Sequence, residues 1–426
     1  MVMGKKAIKQ KLMRATLLLK RAICQLLGIG DQYKGSSIWQ RVEQAMRALV
    51  DWIKNRSGVD AFLLRSLLLR GTLPDRYRQR LHSVIVRLYD YIKLSYIARN
   101  VTHVFGPRII SYEHHEAIVL CLVKDGEVWI KEFIEHYFRK GFKHIVFLDN
   151  GSTDDTLQIA KKYANITILE TKVPFKDNNI LLRRYLIARF AKNRRSLTVD
   201  IDELWDYPFS DKVGLDALLR YLRGKGANAL IAQMLDMFMP CLPSKKVDTL
   251  KAYDHYDISY VKKDTLPIRE DFKDYGFSSN RDLNNKISFY RGGIRTQLFG
   301  LENIWLTKMP LLFYDKTIQP LVHQHFSNNV NIADISSVIF HYKFTHLFRD
   351  QIQSAVRLQQ YVGESSEYKR YMHPLKNNSY LTLKQSTAKK LISVDQLIDE
   401  DFLVVSASYL EMVCNIAKTD CNGHFT

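Results

Sequence analysis

The densest group of carboxylates in the chain is the run Thr198-Val199-Asp200-Ile201-Asp202-Glu203. Asp200 and Asp202 are separated by one residue and directly follow a short apolar run, so we expect both where a buried strand ends. Open α/β sheets bind ligands at such strand ends. Mg²⁺ and Mn²⁺ prefer oxygen ligands and are often held by one or two carboxylates together with substrate phosphates. An Asp-x-Asp pair is common in proteins, so the prediction of a cation site depends on its position at the end of a buried strand.

A second polar segment reads Leu148-Asp149-Asn150-Gly151-Ser152-Thr153-Asp154. Asn, Gly and Ser favour a tight turn, and Ser152 or Thr153 can cap the helix that follows, which accounts for the residues after Asn150. Asp149 is different, because a carboxylate on the last residue of a buried strand costs desolvation unless it has a partner. We expect a ring N–H or a hydroxyl of a ligand to be that partner.

The surrounding elements alternate between short apolar runs and segments of helical periodicity. This alternation predicts a doubly wound, mostly parallel α/β sheet. Strands are expected over 117–123, 144–148, 166–169, 197–199 and 229–234. Helices are expected over 128–138, 157–163, 180–191 and 211–224. The stretch 240–310 reads as irregular and is rich in aromatic and charged residues, which is typical of substrate-binding loops.

Helical patterns flank this core on both sides. Residues 36–100 carry apolar side chains at helical spacing, and helical patterns resume from Thr345 to the end. The predicted organisation is therefore a basic helical N-terminal region over 1–105, an α/β domain over 106–345 and a helical C-terminal region over 346–426.

Composition and charge restrict the class of protein. The chain has 426 residues, of which 46% are hydrophobic and 25% charged, as in folded globular proteins. Five scattered cysteines without a CxxC pair indicate a reducing compartment, and no apolar run is long enough to span a membrane, so we expect a cytoplasmic protein. The net charge of +19 implies attraction to polyanions. We assign the basic N-terminal helices to peripheral contact with the inner face of the membrane.

Four motifs in order resemble the nucleotide-binding half of family 2-like glycosyltransferases. They are Val123-Lys124-Asp125, Glu132-Phe133-Ile134-Glu135-His136, the run from Asp149 to Thr156, and Val199-Asp200-Ile201-Asp202-Glu203. The subgroup with an Asp-x-Asp-Glu metal motif often carries a Gly-Gly-x-Arg and a later His-Tyr pair, matched here by Gly292-Gly293-Ile294-Arg295 and His341-Tyr342-Lys343. The resemblance covers roughly residues 116–345 and implies a GT-A-like fold.

The resemblance implies a role for each matching residue. The nucleotide-sugar contacts would be Lys124, Asp125, Asp149, Asn150, Asp200 and Arg295. The ligands of a Mn²⁺ or Mg²⁺ cofactor would be Asp200, Asp202 and His341. Gly126 stands where the family usually has Glu, and whether the neighbouring Glu127 replaces it is left open.

Several of these roles have rival interpretations. Arg295 fits a phosphate contact or a surface position in a Gly-rich turn, and His341 fits a metal ligand or a core histidine. His323 and His325 are alternatives to His341. The general base is sought among Asp236, Glu270 and Asp271, of which Asp236 and Asp271 are the candidates carried forward.

The function expected is transfer of a sugar from a nucleotide-sugar donor, a UDP-sugar, to a glycan or lipid-linked acceptor, with inversion and a divalent metal. A nucleotidyltransferase is a second reading, but its phosphate loop would be Gly-rich, and Cys121 to Gly126 contains a single Gly. A basic nucleic-acid-binding protein is a third, yet the chain lacks zinc-finger spacing and RNP-like motifs, so no nucleic acid partner is expected. The intact acidic pairs disfavour an inactive protein of the same fold.

Overall fold

The computed structural model describes residues 93–265, 280–284, 286–301, 304–358, 366–376 and 381–422. The chain divides into two compact units, Met1–Ser95 and Tyr96–Thr426. The elements numbered below belong to the second unit. The helices expected over 36–100 lie outside the described residues except for 93–99, which are helical.

One large sheet forms the centre of the described chain. Its ten strands are β1 (Val101–Phe105), β2 (Ala117–Val123), β3 (His144–Asp149), β4 (Ile166–Thr171), β5 (Arg194–Val199), β6 (Glu203–Asp206), β7 (Ala229–Asp236), β10 (Arg281–Asp282), β12 (Thr307–Tyr314) and β13 (Asn331–His341). Two smaller two-stranded sheets pair β9 (Val261–Thr265) with β11 (Ser288–Gly292), and β8 (His255–Tyr256) with β14 (Lys389–Lys390).

The strands of the large sheet run mostly in one direction. Their order is β1-β4-β3-β2-β5-β12-β7-β13-β10, with β6 paired to β13. Because β12 is antiparallel to both β5 and β7, these two neighbours point the same way. The strands β2, β3, β4, β5, β7, β10 and β13 therefore share one direction. This confirms an α/β fold with a large, mostly parallel sheet, and the GT-A-like assignment stays a prediction.

Besides the helical residues 93–99, the described part of the chain contains nine α-helices. They are α1 (Glu127–Arg139), α2 (Thr156–Ala160), α3 (Phe175–Phe190), α4 (Leu215–Gly224), α5 (Ile294–Phe299), α6 (Phe348–Leu358), α7 (Ser366–Lys376), α8 (Gln396–Asp399) and α9 (Ala407–Asn422). A short 3₁₀ turn covers Leu250–Ala252.

The core explains why the central strands read as continuous apolar runs. Every residue of β2 is buried. Alternate residues such as Val119 and Cys121 join the main core cluster, which also contains Ile130 and Phe133 of α1. Helix α3 packs against β2 as well. A strand covered in this way has no side chain left for solvent, so the polar and apolar alternation of a half-exposed strand is missing.

Helix α1 also fixes the backbone that follows the acidic run. The Tyr137 hydroxyl donates to the carbonyl of Glu203 at 2.9 Å and accepts from the Trp205 N–H at 2.9 Å. The His136 Nε2 contacts the Trp205 carbonyl at 2.7 Å. The Trp129 indole donates to the carbonyl of Tyr342 at 3.0 Å. One helix thus positions both the segment after Asp202 and the segment after His341.

Most strands and helices agree with the sequence prediction. Strand β2 has the expected bounds, and β3, β4, β5 and β7 contain the expected runs and extend beyond them. Helix α3 begins at Phe175 rather than at 180, and α2 ends at Ala160 rather than at 163. Helical structure after Thr345 is confirmed in α6, α7 and α9.

The prediction that 240–310 is irregular is wrong for its described part. This stretch contains β8 to β11, α5 and the start of β12. The strands β8 and β10 have two residues each, and β8 pairs with β14 more than 100 residues away along the chain. Such short, distantly paired strands leave no periodic pattern in the sequence.

No helix in the described ranges combines the length and the apolar character that crossing a bilayer requires.

The buried His136 gives a prediction for acid stability. Burial lowers the pKa of His136 from 6.5 to about 4, although its contact with the Trp205 carbonyl opposes this. The unfolded chain therefore takes up a proton near pH 6.5, whereas the folded chain takes it up only near pH 4. The free energy of unfolding thus decreases as the pH falls across this window. We expect a loss of about 2 to 3 kcal/mol from this group between pH 7 and pH 4.5.

The variant His136→Gln keeps an N–H donor for the Trp205 carbonyl but has no proton to bind. Urea unfolding of wild type and variant at both pH values isolates the contribution of His136, because other histidines titrate in both proteins. An identical pH dependence in the two proteins would show that His136 does not carry this effect.

Candidate functional site

Four parallel strands bring polar side chains to one edge of the sheet. Asp149, Asp236 and His341 are the last residues of β3, β7 and β13, and Asp200 directly follows β5. His341 and Asp236 are opposite each other in the register of β13 and β7. Since the strands share a direction, their carboxyl ends form one edge, where α/β sheets bind ligands.

The loops after β2 and β3 hold each other in place. Asp125 has a positive φ of 51°, which few residues other than glycine adopt and which Asp tolerates. Its N–H donates to Ser152 Oγ at 2.9 Å, and its carboxylate accepts from the Thr153 N–H at 2.7 Å. These contacts fix the turn that was expected to contact a nucleotide.

The partners of Asp149 come from its own turn. The carboxylate accepts from the N–H groups of Gly151 at 2.9 Å and Ser152 at 3.1 Å, and from the Ser152 hydroxyl. These donors offset the desolvation of Asp149 without a ligand.

The neighbouring residues are placed differently. The Asn150 side chain donates to the carbonyls of Thr171 at 3.1 Å and Val173 at 2.9 Å, which ties the turn to the end of β4. Lys124 is exposed.

Gly126 lies where the loop after β2 meets the acidic turn. A Cβ added there would come within 2.9 Å of the Cγ1 of Ile201 and of the Cγ2 of Val123. The Gly126 N–H donates to Thr156 Oγ1 at 2.7 Å. A Glu at this position would require its neighbours to move. The carboxylate of Glu127 lies 3.5 Å from the Lys246 ammonium and accepts from the Asp155 N–H at 3.5 Å. The close approach also places the β2 and β3 loops beside the acidic turn.

Asp200 faces two cations on the β5 and β12 side of the turn. Its Oδ1 accepts from Arg183 of α3 at 2.5 Å, and its Oδ2 lies 3.5 Å from the ammonium of Lys308 of β12. Lys308 also pairs with Glu203, whose other oxygen accepts from the Asp200 N–H at 3.1 Å. Burial favours a raised pKa for Asp200, but Arg183 and Lys308 outweigh it and hold the pKa well below its usual range.

Asp202 faces the opposite side of the turn and lies next to His341. The Asp202 Oδ2 and the His341 Nε2 are 3.3 Å apart, and the Asp202 carbonyl accepts from the Tyr342 N–H at 2.8 Å. Burial tends to lower the pKa of His341, but Asp202 and Asp236 outweigh it and raise the pKa to about 9. The two aspartates of the pair therefore have different environments.

Asp236 and Arg295 lie behind His341. The Asp236 Oδ1 is 2.5 Å from the His341 Nδ1, and its Oδ2 accepts from the Arg295 Nε at 2.9 Å. All three side chains are buried. Burial acts to raise the pKa of Asp236, but Arg295 and His341 reverse this and lower it to about 2. Both oxygens of the predicted general base are thus engaged, and Arg295, which was predicted to contact a phosphate, contacts Asp236.

The fit of a divalent cation depends on Asp202 and His341. Two ligand atoms about 2.1 Å from one ion and at right angles to each other are about 3 Å apart, close to the observed separation of Asp202 Oδ2 and His341 Nε2. No group of three or more His, Cys, Asp or Glu side chains in the described part of the chain has the geometry to hold an ion. Among the described residues, Asp202 and His341 would therefore supply two ligands, whereas Asp200 contacts Arg183 and Lys308.

Of the remaining predicted residues, two histidines contact other groups and two acidic residues fall outside the described residues. The rings of His323 and Trp305 are tilted against each other with centroids 4.3 Å apart, and the His325 Nδ1 is 3.0 Å from the Thr307 carbonyl. It is His341 that contacts Asp202. Glu270 and Asp271 fall outside the residues that the structure describes.

Three further charged residues at this edge were missed by the sequence analysis: Arg183, Lys308 and Glu367. The only sequence signal for Arg183 and Lys308 is a charge within an apolar helix or strand. Glu367 of α7 lies 3.9 Å from both the Arg295 Nη1 and the Lys343 Nζ, which are far away in sequence.

A small cavity opens beside Asp200. Its lining includes Arg183, Lys308, Gln324 and His325, and its volume of about 30 Å³ has room for about two water molecules. Leu321, which has a positive φ of 49° unusual for a bulky residue, also lines it. The cavity is much smaller than a nucleotide sugar.

Comparisons with known proteins found similarity to solved structures. No protein-family model matches the chain, and no curated protein matches it. The crystal structure of S. aureus TarS 1-349 matches with 20% sequence identity and a TM-score of 0.23. The match covers 30% of this chain and 41% of the TarS chain, so it spans less than half of either protein. A similarity at this level does not define a shared fold or activity.

Proposed function

We propose that this protein is a glycosyltransferase that transfers a sugar from a nucleotide-sugar donor, with a divalent cation at Asp202 and His341. The observation that carries the proposal is the separation of 3.3 Å between these two side chains at the strand edge. They lie beside the loops of Asp125 and Asp149, which are held in place by hydrogen bonds. A carboxylate oxygen suits Mn²⁺ or Mg²⁺, and a nucleoside diphosphate would complete a coordination shell that two side chains leave open.

The loops after β2 and β3 are the proposed nucleotide site. Asp125, Asp149, Asn150 and Lys124 lie on these loops, and the hydrogen bonds within them hold the backbone in a fixed shape before a ligand arrives. A rigid turn binds with a smaller loss of conformational entropy than a mobile one. We infer a UDP-sugar as donor, following the family resemblance of these motifs.

Arg183 and Lys308 are the proposed contacts of the diphosphate on the Asp200 side. Lys308 uses two of its three donors on Glu203 and Asp200 within the described residues. The third remains for a phosphate oxygen, since Lys308 lines the cavity beside Asp200. Asp200 and Glu203 hold the side chains of Arg183 and Lys308 in position. They thus act on the phosphate through these two basic residues.

When bound, the cation would neutralise charge that develops on the leaving diphosphate. The acceptor hydroxyl requires a base in reach, and both oxygens of Asp236 are engaged with His341 and Arg295. Asp271 therefore remains the proposed base. A lipid-linked or glycan acceptor is proposed, with the basic region over 1–105 contacting an anionic membrane surface.

The first test replaces a proposed cation ligand. Asp202→Asn removes a charged oxygen ligand while keeping the shape of the side chain, and we expect Mn²⁺- or Mg²⁺-dependent release of nucleoside diphosphate to fall at least about 100-fold. Initial rates with a panel of nucleotide sugars, with and without cation, measure this. Asp211→Asn is the matched control, because Asp211 is exposed and away from the strand edge. Unchanged turnover in Asp202→Asn would remove the cation assignment.

The second test concerns the diphosphate contact. Lys308→Met removes a charge-assisted donor, and we expect the affinity for UDP to fall about tenfold or more while the affinity for uridine is unchanged. Lys308→Arg keeps the charge and should stay within a few-fold of wild type. Isothermal titration of UDP and uridine into the three proteins separates these effects. Equal losses for uridine and UDP would indicate a general disturbance of the site and not a phosphate contact.

A further inference from the structure

A chain of buried charged groups contacts the imidazole of His341 on the side away from Asp202. Its Nδ1 lies 2.5 Å from the Oδ1 of Asp236, and its Nε2 is directed at Asp202. An ion bound at Nε2 would displace the proton there, and because the Nδ1–H donates to a carboxylate, the ring cannot rotate without losing that hydrogen bond.

Asp236 is itself held by Arg295. The Arg295 Nε donates to the second oxygen of Asp236 at 2.9 Å, so the carboxylate is clamped between an imidazole and a guanidinium. Arg295 reaches this place because Gly292 and Gly293 adopt φ values of 96° and 75° between β11 and α5. A Cβ on Gly292 would come within 2.6 Å of the Tyr260 carbonyl. Gly292 is therefore explained by the close approach of the Tyr260 backbone, and both glycines by their positive φ.

The outer end of the chain of charges is on α7. Glu367 lies 3.9 Å from both Arg295 Nη1 and Lys343 Nζ, and it accepts from the Tyr371 hydroxyl at 2.5 Å. Lys343 lies over the rings of Tyr368 and Tyr371, at 5.2 Å and 5.5 Å from their centroids. Glu367 thus balances the two cations on the side away from Asp236.

We infer that Asp236, Arg295 and Glu367 are positioning residues that hold His341 with its Nε2 toward the cation, and that α7 is part of the cation site. This inference rests on the proposed function. It extends the enzyme domain beyond residue 345, where the sequence pattern placed its end. It also separates Asp236 and Arg295 from substrate contact, because both are buried and engaged with each other.

A purely structural ion network is the competing explanation, since buried ion pairs frequently serve only to neutralise one another. The two explanations differ in the effect of removing Arg295. Loss of a nearby positive charge would by itself strengthen cation binding. Loss of a positioning residue would weaken it, because Asp236 would no longer be fixed against His341.

The experiment measures Mn²⁺ affinity of the full chain by electron paramagnetic resonance of the free ion. We expect Arg295→Gln to raise the Kd for Mn²⁺ about tenfold or more, and Glu367→Gln to raise it about three- to tenfold, within the range seen for outer partners of metal ligands. Arg291→Gln and Glu411→Gln are matched controls, because Arg291 pairs with Asp264 outside the site and Glu411 is exposed on α9. Both controls should bind Mn²⁺ as wild type does.

An unchanged or tighter Kd in Arg295→Gln would overturn the positioning role of Arg295, and an unchanged Kd in Glu367→Gln would overturn the role of α7. Thermal melting shows whether each variant is folded, and should Arg295→Gln not fold, Glu367→Gln decides the inference.

If wild type binds no Mn²⁺, the proposed cation site fails, and the positioning chain is then judged in the metal-free protein. Nuclear magnetic resonance of histidine-labelled chain would show a slowly exchanging Nδ1 proton on His341, with faster exchange in Arg295→Gln. Equal exchange in the two proteins would overturn the inference.

Discussion

The acidic turn between β5 and β6 can exist at the sheet edge only because cations neutralise it. Glu203 and Asp236 are buried, and Asp200, Asp202 and Glu367 lie near them with partly exposed side chains. An unpaired carboxylate at a buried position would cost several kcal/mol. Five basic side chains form ion pairs with these carboxylates: Arg183, Lys308, His341, Arg295 and Lys343. Acidic and basic groups alternate along this region, so each carboxylate has at least one basic neighbour.

This balance bears on how an ion and a donor would bind. A divalent cation arriving alone would add charge to a region that is already neutral, whereas a cation accompanied by a diphosphate adds little net charge. Coulomb interactions at these distances are worth several kcal/mol, so the difference favours joint binding. The two ligands that Asp202 and His341 would provide agree with this, since a site with few protein ligands depends on the phosphates of its substrate.

The sequence predicted the strands and the positions of their polar ends, but not the partners of those ends. Continuous apolar runs identify β2, β3 and β7, because buried parallel strands have no exposed face. The positions of Asp149, Asp200 and Asp202 at strand ends follow directly from those runs. The sequence could not show that the Ser152 turn supplies the donors for Asp149, because that depends on local geometry.

The basic partners of these carboxylates were harder to predict, because their pairing depends on the order of the strands in the sheet. Lys308 is more than 100 residues from Glu203 along the chain, and it reaches Glu203 because β12 inserts next to β5. Glu367 approaches Arg295 through the packing of α7 on α5. Gly126 is similar, since its missing side chain is explained by Ile201 on a distant segment. Each of these contacts is a property of the topology and leaves no local pattern.

The two residues of the Asp-x-Asp pair illustrate the limit of interpreting a short motif by itself. The turn that carries them runs from the end of β5 to β6, which pairs with β13, and it therefore passes across the sheet edge. Asp200 remains on the side of α3 and β12, and Asp202 reaches the end of β13. One intervening residue is enough to place them among different neighbours, Arg183 and Lys308 for the first and His341 for the second. Identical side chains in one motif thus acquire separate roles from the strands that their turn connects.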